Sequence, residues 1–173
     1  MGMAAAMGLT LRGSLSLPIV RSRLRPSFSA IVTGVCAGLL HSILTIPAAA
    51  LILHLQPQWR SAVAELYSWR AGHSRLFIGL TLPMIVLAEE VFWRGVIAQF
   101  LIERSGKLCG ILLASAMYAA AHLAAFNPVL LLAAFACGLY WGLLYAATDN
   151  LTTTTLSHLI WDVLLLFALP VVP

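Results

Sequence analysis

Two adjacent glutamates, Glu89 and Glu90, lie near the middle of an almost uncharged apolar stretch that runs from Leu76 to Ile102, and Arg94 follows one helical turn later. An apolar stretch of this length is long enough to cross a membrane as a helix. Each ionisable group at the centre of a bilayer costs roughly a few kcal/mol or more, so groups found there usually have a function. The sequence therefore predicts a membrane protein that carries out chemistry inside the bilayer.

The composition supports the membrane assignment, because 61% of the residues are hydrophobic and only 9% are charged, unlike a soluble domain. The net charge of +4 comes from basic residues scattered at segment ends, which indicates membrane topology and argues against nucleic-acid binding. Cys36, Cys109 and Cys137 lie in or beside apolar segments without ligand-like spacing, and we interpret them as packing residues.

The predicted organisation is a basic N-terminal leader, residues 1–27, and a membrane-embedded helical domain, residues 28–173. The leader lacks the charged, apolar and small-residue regions of a cleaved signal peptide. The fold class is all-α, a polytopic transmembrane helix bundle with about five spans. The spans are expected from Phe28 to Leu55, Leu76 to Ile102, Leu108 to Phe126, Val129 to Ala147 and Leu151 to Leu169.

Two features complicate the first half of the chain. Pro47 lies inside the first span and is expected to kink the helix or to end its regular part early, which leaves a broken or re-entrant helix open. Residues 56–75 are expected to form a loop, whose mixture of Trp and Arg suits a segment lying at the headgroups.

Glycines four residues apart, at positions 34 and 38 and at 138 and 142, predict close helix packing.

Positive charges near the span ends predict the orientation. With the N-terminus in the cytoplasm, six basic residues lie inside and three outside, which agrees with the positive-inside rule. The inner set is Arg12, Arg21, Arg23, Arg25, Arg104 and Lys107, and the outer set is Arg60, Arg70 and Arg75.

The two glutamates differ in their expected partners. Glu90 and Arg94 are four residues apart, hence on one helix face and within reach of an ion pair. Glu89 is rotated by about 100° and has no such partner on its own helix. A desolvated carboxylate of this kind can act as a general base, so Glu89 is the candidate base and Glu90 a structural residue. The alternative is that both glutamates only bridge Arg94 or another helix.

Further polar residues lie in the later spans. Tyr118 and His122 share one face of the third span, although a lone histidine there is equally compatible with packing. His158 and Asp162 are four apart in the fifth, so the carboxylate can accept a hydrogen bond from one ring nitrogen and aim the other at a ligand. The other histidines, His41, His54 and His73, are interpreted as packing or interface residues.

The depths of these residues agree with one another. Glu89 lies ~20 Å from the Arg104 end of its helix, and His122 lies ~22 Å from Lys107 on the next, antiparallel helix. His158 and Asp162 lie ~11 to 17 Å from the start of the fifth span. One polar cluster therefore accommodates all four.

These residues resemble the motifs of the CPBP glutamic intramembrane proteases, which include the type II CAAX prenyl endopeptidases and bacteriocin-processing relatives. The resemblance covers roughly residues 76–169. The family motifs are Glu-Glu-x-x-x-Arg, Phe-x-x-x-His, and His-x-x-x-Asn or Asp; their counterparts are Glu89, Glu90 and Arg94, then Tyr118 and His122, then His158 and Asp162. Tyr118 replaces the usual Phe and keeps its aromatic body, and Asp162 stands where the prenyl-peptide members carry Asn.

The resemblance implies a membrane-embedded peptidase. By this resemblance, Glu89 and His122 would activate a water, and His158 and its partner would stabilise the oxyanion. The residues that would support the site are Glu90, Arg94 and Tyr118. An ionised Asp162 cannot donate a hydrogen bond, so it is either protonated or, as we prefer, only orients His158.

No cofactor is expected. The family has been suspected of metal dependence, but the sequence has no His-Glu-x-x-His pair that would supply two zinc ligands on one face. The expected partners are the lipid bilayer and a membrane-associated substrate, such as a signal, a leader or a C-terminal sorting tail, in a bacterial cytoplasmic membrane. The alternative is a non-catalytic membrane protein, a transporter subunit or an immunity-type factor, whose polar cluster is structural.

Overall fold

The computed structural model describes residues 22–168, except for the side chain of Trp69. Within this range the chain forms six helices joined by short turns, and it forms no strand. The helices are α1 (Phe28–Leu55), α2 (Arg60–Ala71), α3 (Arg75–Ser105), α4 (Lys107–Ala120), α5 (Pro128–Thr148) and α6 (Leu151–Val163). A π-helical turn, Leu164–Ala168, continues α6. Most of the predicted leader lies outside the described residues.

Five of the helical segments are long and apolar enough to cross a membrane. They are Phe28–Leu55, Arg75–Ser105, Lys107–Ala125, Pro128–Thr148 and Leu151–Ala168. The all-α class and the five spans are therefore confirmed, and the predicted bounds agree with the structure to within a few residues.

The helices begin at polar caps that the sequence supplies. Ser27 and Ser74 accept hydrogen bonds from the backbone N–H groups at the starts of α1 and α3, and Asn127 and Asn150 do the same for α5 and α6. The turn between α3 and α4 is a single residue, Gly106, whose φ of 81° suits glycine. These caps make each hairpin of the bundle short.

Pro47 lies inside α1 but does not end it, because the helix is continuous from Phe28 to Leu55. The prediction of an early end is wrong. Proline is tolerated inside membrane helices, and its missing N–H group removes one helical hydrogen bond, the one to the carbonyl of Ile43 four residues earlier. Nearby, Thr45 Oγ1 donates to the carbonyl of His41 at 2.8 Å and Ser42 Oγ donates to that of Gly38 at 2.9 Å, so neither hydroxyl replaces that bond.

The segment predicted as a loop between the first two spans contains α2, so that prediction is also wrong. Asn127 Nδ2, at the start of α5, donates to the carbonyl of Ala62 at 2.8 Å and to Glu65 at 3.3 Å. Arg70 Nη1 donates to the carbonyl of Leu166 at 2.6 Å. These contacts hold α2 against the ends of α5 and α6, which the amino-acid pattern of α2 alone does not reveal.

The glycine pairs pack helices closely, as predicted. A Cβ atom on Gly34 or Gly38 of α1 would lie 2.8 Å from a backbone carbonyl oxygen of α6, that of Thr153 or Ser157. Since real Cβ atoms do not approach so closely, only glycine permits this spacing between α1 and α6. Gly138 and Gly142 of α5 similarly face α4.

Exposure is distributed as expected for a bundle surrounded by lipid. Leu80 and Met84 on the outside of α3 are 64% and 72% exposed, whereas Glu90 and Arg94 on the same helix are 0% and 2% exposed. Charged residues inside a membrane face the bundle interior, while apolar side chains can face hydrocarbon. The described helices therefore enclose a polar centre within an apolar surface.

Candidate active site

The geometry of α3 changes directly after the glutamate pair. The helix is α from Arg75 to Glu90, π from Val91 to Ala98, and α again from Gln99 to Ser105. π-helical turns inside α-helices are rare and occur frequently at functional sites. The π-helical segment thus begins directly after Glu90 and includes Arg94, the last residue of the first motif.

The predicted ion pair between Glu90 and Arg94 is present and fully inside the bundle. Arg94 Nη1 lies 2.9 Å from Glu90 Oε1. The guanidinium also lies between two aromatic rings, 4.9 Å from the centroid of Tyr118 and 5.2 Å from that of Trp141. Because a buried charge is stabilised only by close partners, Arg94 and Glu90 form a structural unit.

His158 binds this unit from α6. Its Nδ1 lies 2.8 Å from Glu90 Oε1, and its ring stacks on Trp141 with the centroids 3.7 Å apart. Asp162 Oδ2 lies 3.6 Å from Nε2, within ion-pair distance but too far for a direct hydrogen bond. The spacing of His158 and Asp162 predicts that Asp162 orients the ring, but the ring donates its hydrogen bond to Glu90, on another helix.

Glu89, the candidate base, is partly buried and has a partner on α4 that sequence reasoning missed. The Tyr118 hydroxyl donates to Glu89 Oε2 at 2.8 Å. The motif comparison gives weight only to the aromatic body of Tyr118, but its hydroxyl also contacts the candidate base. The sequence contains a signal for this hydrogen bond, because the hydroxyl of a tyrosine buried in a membrane needs a hydrogen-bond partner.

His122 lies in the turn directly after α4, one residue beyond its C-cap at Ala121. The predicted third span, Leu108 to Phe126, is α-helical as far as Ala120 and includes a 3₁₀ turn at Leu123–Ala125. Nδ1 of His122 lies 2.8 Å from the carbonyl oxygen of Tyr118. A carbonyl oxygen only accepts, so Nδ1 carries a proton, and Nε2 has a free lone pair when the ring is neutral.

One cavity of about 190 Å³ brings the candidate catalytic residues together. It has room for several waters, since a water occupies about 30 Å³ in the liquid. The ionisable or polar side chains that line the cavity belong to α3, α4, α6 and the turn after α4. The apolar side chains belong mainly to α3 and α5. The ionisable or polar side chains are Glu89, Tyr118, His122, His158 and Asp162. Glu90 and Arg94 are not part of the lining and support the site from behind.

Sequence reasoning also missed the aromatic residues around the site. Trp141 is 1% exposed and contacts both Arg94 and His158, and Trp161 lines the cavity. His41, interpreted as a packing residue, stacks on Tyr140 with the centroids 4.0 Å apart. Cys137 is buried in the cavity wall. Helical spacing relates Cys137 and Trp141, which are four apart on α5, but it does not bring them to Arg94, His158 or His41, which lie on other helices.

A second, apolar cavity of about 340 Å³ adjoins the first. Leu130, Ala133, Trp161 and Asp162 line both cavities. Trp161 is fixed in the shared wall, because its Nε1 donates to Thr45 Oγ1 at 2.9 Å. The polar centre therefore shares a wall with a space that suits hydrocarbon groups.

A membrane-spanning helix bundle with such a polar centre, enclosed by apolar surface, belongs to the class of integral membrane proteins with an enzyme-like site. The sequence model of the family described as type II CAAX prenyl endopeptidase Rce1-like matches residues 71–164, more than half of the chain, and the chain belongs to that family. The family is one of intramembrane CAAX-type proteases, so the predicted family and hydrolase class are confirmed.

The matched range includes all seven residues of the three motifs. It leaves out α1 and nearly all of α2. Comparison with curated proteins gives no match, and comparison with solved structures gives none.

Proposed function

We propose that this protein is a glutamic intramembrane endopeptidase in which Glu89 and His122 activate a water to hydrolyse a peptide bond. The observation that carries the proposal is the cavity in which Glu89, His122 and His158 meet, since it combines a carboxylate, an unprotonated ring nitrogen and a possible oxyanion donor. Membership of a protease family supports the reaction type.

Glu89 and His122 both contact the attacking water in this proposal. Tyr118 occupies Oε2 of Glu89 and leaves Oε1 for a water. The hydrogen bond from Nδ1 of His122 to Tyr118 fixes the ring so that Nε2 can accept from the same water. The water oxygen attacks the carbonyl carbon as its proton passes to Glu89 or His122. The C–N bond then breaks, and that proton goes to the leaving amine.

His158 is proposed to stabilise the oxyanion that forms during this attack. Its Nδ1–H is committed to Glu90, so the donor is Nε2 when that nitrogen also carries a proton. Asp162 acts as a positioning residue next to Nε2. The stacking of His158 on Trp141 keeps the ring in place as charge develops.

The substrate is proposed to be a peptide that reaches the site from the membrane. The family implies membrane-embedded peptide substrates, and the apolar cavity beside the polar one can accept their hydrocarbon groups. A signal, a leader or a C-terminal sorting tail has these properties. We propose the bacterial cytoplasmic membrane as the location.

The test uses the purified full chain in lipid vesicles with a set of fluorogenic membrane-tail peptides, in heavy-oxygen water. We expect cleavage that places one heavy oxygen in the new carboxyl group. Cleavage should be absent from Glu89→Gln and His122→Ala, and both variants should remain folded and inserted. Glu103→Gln, which changes an exposed glutamate at the end of α3, is the matched control and should cleave normally.

The competing function is a non-catalytic membrane protein with a structural polar cluster. It predicts that no peptide in the set is cleaved and that Glu89→Gln and His122→Ala unfold the protein as severely as Arg94→Ala. Normal cleavage by Glu89→Gln would contradict the assignment of the base.

A further inference from the structure

A second polar cavity, of about 590 Å³, lies at the end of the bundle where α2 meets α3 and α6. Its lining consists of three basic side chains, Arg70, His73 and Arg75, above two apolar ones, Ile78 and Phe167. It shares no lining residue with the candidate active site, and Ile78 lies about 16 Å along α3 from Glu89. We name it the basic cavity.

Two of the three basic residues of this cavity are held in place by contacts with neighbouring residues. Arg70 Nη1 donates to the carbonyl of Leu166 at 2.6 Å, which uses one of the five guanidinium N–H donors. The ring of His73 stacks on Phe77 with the centroids 5.1 Å apart. Arg75 is exposed and is the first residue of α3. Among the described residues no carboxylate lines the cavity, so the guanidinium groups of Arg70 and Arg75 give it a positive charge that attracts an anion.

The position of the cavity identifies the kind of anion. It lies at the level where α3 starts, and its lining includes an apolar side chain at the surface, Phe167, which is 37% exposed. The ligand therefore needs an anionic group at the level of the arginines and a hydrocarbon chain directly beside it. Arginine binds phosphate oxygens through paired N–H donors, and basic residues beside membrane spans attract anionic lipids.

We propose that the basic cavity binds the phosphate group of an anionic phospholipid, with an acyl chain against Phe167, the exposed apolar residue of its lining. The charge pattern supports this. Arg70 and Arg75 are two of the three arginines that the predicted topology places on the outer side, against the general bias. A lipid phosphate bound between Arg70 and Arg75 explains why two arginines lie close together on the outer side.

The test measures the thermal stability of the full chain in detergent while phosphatidylglycerol is added. The comparison ligands are phosphatidylcholine, whose phosphate is neutralised by choline, and inorganic phosphate. We expect phosphatidylglycerol to stabilise the wild-type protein far more than either. In Arg70→Gln/Arg75→Gln the half-saturating concentration should rise by about fivefold for each arginine removed.

The matched control is Arg104→Gln/Lys107→Gln, which removes two positive charges at the opposite end of α3 and should leave the response unchanged. Because Arg70 also holds Leu166, Arg75→Gln alone provides a second variant, with an expected rise of about fivefold. The proposal is overturned if the arginine variants respond like the wild type, or if the control weakens the response equally. An equal response to inorganic phosphate overturns the lipid as the source.

Discussion

Nδ1 of His158 lies 2.8 Å from Oε1 of Glu90, although 68 residues separate them along the chain. The same oxygen accepts from Arg94. Glu90 therefore joins the first and third motifs into one buried unit, while its neighbour Glu89 faces the cavity with His122. Adjacent glutamates on one helix thus have different surroundings, and the experiments below separate their roles.

The first prediction distinguishes the two glutamates by stability. Glu90→Gln should lower the thermal stability of the solubilised protein clearly, because a neutral amide leaves the guanidinium of Arg94 buried without an anion. Arg94→Ala should act similarly and cost about 3–5 kcal/mol, the usual penalty for breaking a buried ion pair. Glu89→Gln should change stability little, since this side chain is only partly buried. Equal losses in all three variants would contradict the division.

The second prediction concerns His158 and Asp162. His158→Gln should lower kcat by about a hundredfold or more, the usual effect of removing an oxyanion donor. Asp162→Asn should change kcat by less than about tenfold, or roughly 1.4 kcal/mol, because Glu90 and Trp141 hold the ring independently of it. Steady-state cleavage of one fluorogenic peptide provides both values. A larger loss in Asp162→Asn than in His158→Gln would mean that Asp162 takes part directly.

The third prediction concerns the hydroxyl of Tyr118. Tyr118→Phe removes the hydrogen bond to Glu89 but retains the ring beside Arg94 and His122. We expect kcat to fall by no more than about tenfold, since a hydrogen bond to a charged group contributes roughly 1.5–3 kcal/mol and water can replace part of it. Tyr118→Ala also removes the ring and should lower both kcat and thermal stability. Equal activity losses in the two variants would place the main role in the hydroxyl.

The fourth prediction concerns metal. Glu90 and His158 already bind each other, and Arg94 places a positive charge on Glu90, which opposes a metal ion there. We expect the purified protein to keep its activity after treatment with a strong chelator and dialysis. Elemental analysis should find well under one zinc per chain. Stoichiometric zinc that rises and falls with activity would indicate Lewis-acid catalysis instead.

The fifth prediction concerns topology. With the N-terminus in the cytoplasm, Glu89 lies ~20 Å from the cytoplasmic end of α3, past the middle of a core of about 30 Å, so the site should open outward. Ser105→Cys and Ala125→Cys introduce thiols at exposed positions at opposite ends of the α3–α4 region. The exposed natural thiols, Cys36 and Cys109, are first replaced by alanine. A membrane-impermeant reagent on intact cells should label position 125 and spare position 105, and the reverse pattern would invert the topology.

Much of the fold was predictable from local pattern. Five apolar segments with polar ends define five spans, and the glycine pairs indicate which faces approach closely. Two predictions differ from the structure, at Pro47 and in α2. A continuous membrane helix can include a proline, so the residue type alone does not determine where α1 ends. α2 is held by Asn127 and by the bond from Arg70 to Leu166, and these contacts join distant parts of the chain that the local pattern does not relate.

The sequence by itself determined the membrane class, the motif residues and the Glu90–Arg94 pair, because helical periodicity places residues four apart on one face. Only the tertiary structure decided that His158 binds Glu90, that Tyr118 binds Glu89, and that Trp141 packs between Arg94 and His158. These contacts join different helices, and they depend on helix rotation and spacing. Packing of the whole bundle sets both quantities, whereas periodicity within one helix specifies neither.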